Sequence, residues 1–131
     1  MIALDTNVLV RYIMQDDVQQ AALATRLIES LHENAPAFIS LVSVVELCWV
    51  LESAYGLTRS QIVEVFQKVL AITAFKVDRA LLVTGAVKAY RDSKADFADC
   101  LIERSAFQAG CQSVMTFDRA AAKTAGMTLI C

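Results

Sequence analysis

The sequence predicts an α/β fold: a three-layer α/β/α sandwich with a mainly parallel sheet of about five strands. Three observations carry this. Short apolar runs alternate along the chain with longer segments of helical periodicity. Most apolar runs are bounded by helix-capping or turn residues. Only one proline and four glycines occur in 131 residues, so connections are short and no linker or internal repeat is visible. This length fits a single domain, residues 1–131, that buries a core without disulfides or a structural metal.

The first apolar run, Met1 to Leu4, ends abruptly at Asp5-Thr6-Asn7. It reads as a buried strand that delivers Asp5 to its carboxyl end. A short helix from Asn7 to Met14 follows. Asp16-Asp17 offers an N-cap for a second helix, whose apolar face is Ala21, Ala24, Leu27, Ile28 and Leu31. Pro36 precedes a second strand, Ala37 to Ser40. Ser43 with Glu46 three residues on has capping-box spacing. The helix it would start is apolar almost all round, which predicts deep burial, and Gly56 ends it. Thr58 caps an amphipathic helix bearing Ile62, Val65, Phe66, Val69 and Leu70. Ala74 to Val77 reads as a third strand. Asp78 caps a helix bearing Leu81, Leu82, Gly85, Val87 and Tyr90. Ser93 or Asp96 starts another, Phe97 to Ala109, stopped by Gly110. Ser113 to Phe117 is a fourth strand ending at Asp118. A short helix from Arg119 to Ala125 and a strand from Met127 to Ile130 complete the chain.

Composition narrows the function classes. The apolar fraction is 56% and the mean hydropathy +0.49, which suggests that apolar surface is covered by a partner. No run approaches the roughly 18 apolar residues of a membrane span, and the N-terminus lacks a basic region followed by an apolar one. A cytoplasmic protein is expected. Cys48, Cys100, Cys111 and Cys131 have no CxxC spacing and His32 is the sole histidine, so a zinc site is not expected. A net charge of −2 argues against a general nucleic-acid-coating protein.

Five acids stand apart from the solvated helix faces. Asp5 and Asp118 each follow an apolar strand directly. Asp96 and Asp99, at i and i+3, share one face of a first helical turn. Glu46 sits in an otherwise apolar helix. Each also has a structural reading as a cap or first-turn acid. In a parallel α/β topology, however, strand ends and helix starts lie along one edge, so all five can converge there. Close carboxylates repel by roughly 4 kcal/mol per pair at an effective dielectric of about 20. Such a cluster persists only with bound cations or protons. Oxygen ligands alone point to Mg²⁺ or Mn²⁺, and a carboxylate-held divalent ion is apparatus for phosphodiester hydrolysis by a metal-activated water.

With these residues in view, the chain resembles PIN-domain ribonucleases, specifically the VapC-type toxins of type II toxin–antitoxin pairs. The likeness rests on Leu4-Asp5-Thr6-Asn7-Val8-Leu9-Val10-Arg11-Tyr12, on Ser43-Val44-Val45-Glu46-Leu47 with Trp49-Val50-Leu51, and on Tyr55-Gly56-Leu57. It continues through Ala95-Asp96-Phe97-Ala98-Asp99-Cys100-Leu101-Ile102 and Thr116-Phe117-Asp118-Arg119. The resemblance implies that Asp5, Glu46, Asp99 and Asp118 are catalytic, joined by Asp96 in holding metal, with Asp5 and Asp99 as the most direct ligands. Thr6 and Asn7 would shape the pocket through hydroxyl and amide hydrogen bonds. It further implies a Mg²⁺-dependent endoribonuclease, an RNA substrate, a cognate antitoxin and a homodimer. Arg11, Lys94, Arg104, Arg119 and Lys123 lie near acidic motifs and are candidates for phosphate contacts. A PIN-like module that binds RNA or protein without catalysis is the alternative. A phosphatase of the haloacid-dehalogenase type would need an acid where Asn7 stands. A phosphorelay receiver would want a pair of acids after its first strand.

Overall fold

The computed structural model describes residues 1–131. Its contacts divide the chain into two units, Met1–Ala80 and Leu81–Cys131.

The first unit carries a three-stranded sheet: β1 (Ile2–Ala3), β2 (Ala37–Ile39) and β3 (Phe75–Val77), in the order β1-β2-β3. Both pairings are parallel, with Ala3 opposite Phe38 and Phe38 opposite Lys76. Parallel neighbours require crossovers, and helices supply them. These are α1 (Thr6–Met14) and α2 (Val18–Glu29) between the first two strands, then α3 (Leu41–Ser53) and α4 (Arg59–Ala71). Leu4, Leu9, Ile39, Leu47, Leu51, Ile62 and Phe66 are among its fully buried residues.

Local chemistry sets the helix starts. Asp5 caps α1, Asp17 caps α2 by accepting from the Gln20 amide at 2.9 Å, and Thr58 forms a reciprocal capping box with Gln61 on α4. Helix α3 differs from expectation. Its cap is Ser40, which accepts from the Ser43 amide at 3.1 Å. Ser43 therefore lies inside the first turn, and Glu46 is left out of any capping box. The extended backbone of β2 runs straight into Ser40, so the earlier serine meets the cap geometry first. Nor is α3 buried all round: Val42 and Trp49 are exposed. On α2, Leu27 is partly exposed, whereas Ala21, Ala24 and Ile28 are buried as expected.

The second unit contains α5 (Ala80–Arg91, its first residue in the preceding unit), α6 (Phe97–Gln108), β4 (Met115–Thr116), α7 (Arg119–Thr124) and β5 (Thr128–Leu129). Tyr90 and Phe97 meet edge to face in its core, ring centroids 5.7 Å apart. The apolar face of α5 is Leu82, Val83, Ala86, Val87 and Tyr90, while Leu81 is exposed. Strands β4 and β5 pair in parallel as a separate two-stranded sheet. The α/β class and the parallel pairing stand, as do five strands, but the hydrogen bonding makes two sheets rather than one. The fourth apolar run also forms a shorter strand than expected, Met115–Thr116. Met115 and Phe117 are exposed, so burial does not extend that run to the length the sequence suggests. No helix is long and apolar enough to cross a membrane.

Candidate active site

In the first unit, β1 ends at Leu4, whose amide donates to the Phe38 carbonyl at 3.0 Å. The backbone then turns at Asp5 into α1. Asp5 is exposed, and its Oδ1 accepts the Thr6 amide at 2.9 Å, which leaves Oδ2 unengaged. Thr6 is only 5% exposed. Its hydroxyl donates to Glu46 Oε1 on α3 at 2.8 Å. One threonine thus holds both candidate site acids of this unit, Asp5 through its amide and Glu46 through its side chain. The hydroxyl of Thr6 makes a hydrogen bond to one of the candidate acids. Glu46 is a solvent-facing acid with its partner on α1, which its apolar sequence neighbours did not suggest.

In the second unit, Asp96 is the N-cap residue of α6 by backbone position, but its carboxylate makes no capping hydrogen bond. Its competing reading as a side-chain cap therefore fails. Asp99 lies in the first turn of the same helix. Its carboxyl is pushed above the ordinary value of 3.8, first by partial burial and then by the negative charges of Asp96 and Asp118. Asp118 caps α7, Oδ1 accepting the amides of Ala120 at 2.8 Å and Ala121 at 3.2 Å. Its own amide donates to the Thr116 hydroxyl at 3.0 Å. Asp118 is both a cap and a member of the charge cluster, so the two readings of it are compatible.

The route by which these acids are placed departs from the sequence argument. Asp5 follows a strand of the three-stranded sheet and Asp118 a strand of the two-stranded one. Asp96 and Asp99 come from a helix-to-helix turn, α5 into α6, with no strand before them. No group of three or more histidine, cysteine, aspartate or glutamate side chains stands close enough to hold a metal ion. The chemistry of the donor set nevertheless suits a hard cation: every candidate is a carboxylate, and the repulsion felt at Asp99 is what a cation would relieve.

Two features were not foreseen. Tyr55 donates its hydroxyl to Asp16 at 2.7 Å and accepts from Arg11 at 3.2 Å, and Arg11 also pairs with Asp16 at 3.3 Å and donates to Gln20 at 2.7 Å. The Tyr55 hydrogen bond, aided by the Arg11 charge, holds Asp16 below its ordinary value. Arg11 is therefore engaged within its own unit. The signal was the tyrosine of the Tyr55-Gly56-Leu57 triplet, where Gly56 takes a left-handed φ of 62° after α3. Arg104 is also engaged: its guanidinium lies 5.0 Å from the Phe107 ring centroid, and its Nε sits over Gly85, 3.3 Å from where a Cβ would stand. Beside Asn7, α1 and α2 line an open groove of about 310 Å³ with Val8, Arg11, Leu23 and Leu27.

Comparison with known proteins supplies the family. The PIN-domain model matches residues 2–127. The chain belongs to the PIN-domain family. It is similar to a VapC ribonuclease of Aquifex aeolicus (strain VF5), with 27% identity over 116 residues, 88% of this chain and 86% of that protein. No solved structure matches. The PIN match begins before Asp5 and ends after Asp118, so every candidate acid lies inside it.

Proposed function

We propose that this PIN domain is a Mg²⁺-dependent endoribonuclease, the toxin of a toxin–antitoxin pair, acting as one domain over residues 1–131. The observation that carries the reading is the PIN match over residues 2–127, which includes all five acids, and the negative charges of Asp96 and Asp118 acting on Asp99 are in keeping with it. The RNA substrate is supported by the similarity to a VapC ribonuclease. Asp5 and Asp99 are the principal metal-holding residues, with Glu46, Asp96 and Asp118 completing the set.

Bound by these carboxylates, Mg²⁺ (or Mn²⁺) supplies neutralisation of phosphodiester charge and activation of the attacking water. The chain's own part is positional and electrostatic. Thr6 fixes Glu46 Oε1. The Ala120 and Ala121 amides fix Asp118 Oδ1 in the same way. Asp5 presents Oδ2 because Oδ1 is held by the Thr6 amide. Asp96 keeps both oxygens free of the helix it precedes. Without a cation, burial and the charges of Asp96 and Asp118 favour the protonated form of Asp99.

A cytoplasmic setting, an antitoxin and a homodimer belong to the same reading. Exposed apolar residues, among them Leu23 and Leu27 at the α1–α2 groove, support a protein partner. The test is cleavage of total cellular RNA by wild type and Asp5→Asn with and without Mg²⁺. Metal-dependent cleavage that Asp5→Asn abolishes is the expected result. Equal cleavage by the variant removes the proposed catalytic site, and no cleavage by wild type leaves the non-catalytic PIN-like module in its place.

A further inference from the structure

The chain has one tryptophan, and it is not in the core. Trp49 is 68% exposed on α3. It lies three residues after Glu46, so the two side chains share a face of the helix. Long side chains on a helix lean back toward its N-terminus and cover the preceding turn. The indole of Trp49 is therefore directed toward the turn that carries Glu46, beside Val42 and Val45 on the same face. The separation along the axis is about 4.5 Å, three residues at the helical rise. The second unit repeats the pattern independently: Phe117, 79% exposed, immediately precedes Asp118. Each unit thus presents one open aromatic next to one candidate acid.

We propose that Trp49 is a stacking platform for a base of single-stranded RNA, positioning the nucleotide whose phosphate is cut. The inference rests on the endoribonuclease reading and adds a substrate-positioning residue to it. Aromatic faces accept any base, and unpaired strands are held by stacking on them. Stacking demands an unpaired base, so the substrate class is RNA in a loop, bulge or single strand rather than a continuous duplex. Glu46 lies one turn from the ring and Thr6 pins it, so the base is held on the same rigid helix as the acid.

Because Trp49 is the only tryptophan, its emission reports on this site alone. The experiment titrates a short single-stranded oligoribonucleotide into the Asp5→Asn chain, which keeps the RNA intact. An abasic oligonucleotide of the same length is the control. The expected result is quenching by the base-bearing strand and little by the abasic one. Trp49→Ala should weaken binding, read by anisotropy of labelled RNA, by roughly tenfold or more. Trp49→Phe should recover most of the loss, since stacking needs an aromatic face. In the otherwise wild-type chain, Trp49→Ala should raise KM more than it lowers kcat. Equal quenching by the abasic strand, or RNA binding without quenching, overturns the inference. So does emission that follows chain concentration alone with dimer formation in sedimentation, since a second copy would then cover Trp49. RNA cleavage that Trp49→Ala leaves unchanged removes the stacking role and leaves the endoribonuclease reading intact. Quenching without any cleavage by wild type does the reverse: it keeps Trp49 as an RNA contact and removes the enzyme.

Discussion

Thr6 and Glu46 are forty residues apart in sequence, and the threonine hydroxyl donates to the glutamate at 2.8 Å. The same threonine gives its amide to Asp5 at 2.9 Å. A buried residue at the start of α1 therefore sets the positions of two exposed acids on different helices. Removing the hydroxyl while keeping the shape separates its two roles. Thr6→Val should fold and melt close to wild type, because Glu46 can be solvated once released. Metal affinity or RNA cleavage should fall by about 10- to 100-fold, the usual cost of losing a residue that orients a ligand. Thr6→Ser should retain activity. Cleavage assays and Mg²⁺ titrations on the two variants check this.

Asp99 titrates above its ordinary value of 3.8 because burial and the charges of Asp96 and Asp118 disfavour its ionised form. The folded chain then binds more protons than the unfolded chain between 3.8 and the raised value. Stability from this group accordingly falls as pH rises through that window and stays reduced above it. Asp99→Asn removes the penalty, so the metal-free variant should melt higher than wild type at neutral pH. The difference should shrink as pH falls toward 3.8. Thermal melts of both chains in chelator across this range give the answer, and a variant less stable than wild type at neutral pH would contradict it.

Mg²⁺ acts on the same repulsion. Added to wild type near neutral pH, it should raise the melting temperature, and more so as its concentration exceeds Kd, by about 2.7 kcal/mol of stability at a hundredfold excess. Asp5→Asn and Asp99→Asn should each blunt the response. Mn²⁺ should substitute, since both are bound by oxygen ligands. A flat response to both ions would remove the metal from the proposed site.

The start of α3 distinguishes two serines. Ser40→Ala removes the side chain that accepts from the Ser43 amide and should cost about 0.5–2 kcal/mol. Ser43→Ala loses no capping acceptor and should cost less. Denaturant unfolding of the pair decides which serine is the cap.

Leu81 and Leu82 are adjacent on α5, one exposed and one buried. Leu82→Ala should destabilise the chain by about 2–5 kcal/mol through loss of packing. Leu81→Ala should stay within about 0.5 kcal/mol of wild type.

The sequence by itself determined the alternation of helix and strand, the parallel pairing, most caps and the identity of the unusual acids. These depend on periodicity and on residue types at element ends, which are local properties. Asp17 and Thr58 cap where the sequence placed them, and the family resemblance agrees with the PIN match over residues 2–127. Other features were decided only by tertiary structure. Ser40 displaced Ser43 as a cap because the β2 backbone fixes where helical dihedrals begin. Leu81 and Leu27 turned out of the core because an apolar stripe is wider than the surface available to bury it. The strands divided into two sheets because pairing depends on partners distant in sequence. Glu46 gained its hydrogen-bond partner from Thr6, a contact that no local pattern encodes. Trp49 lay on the open side of α3, where a nearly all-apolar sequence gives no sign of which face meets solvent.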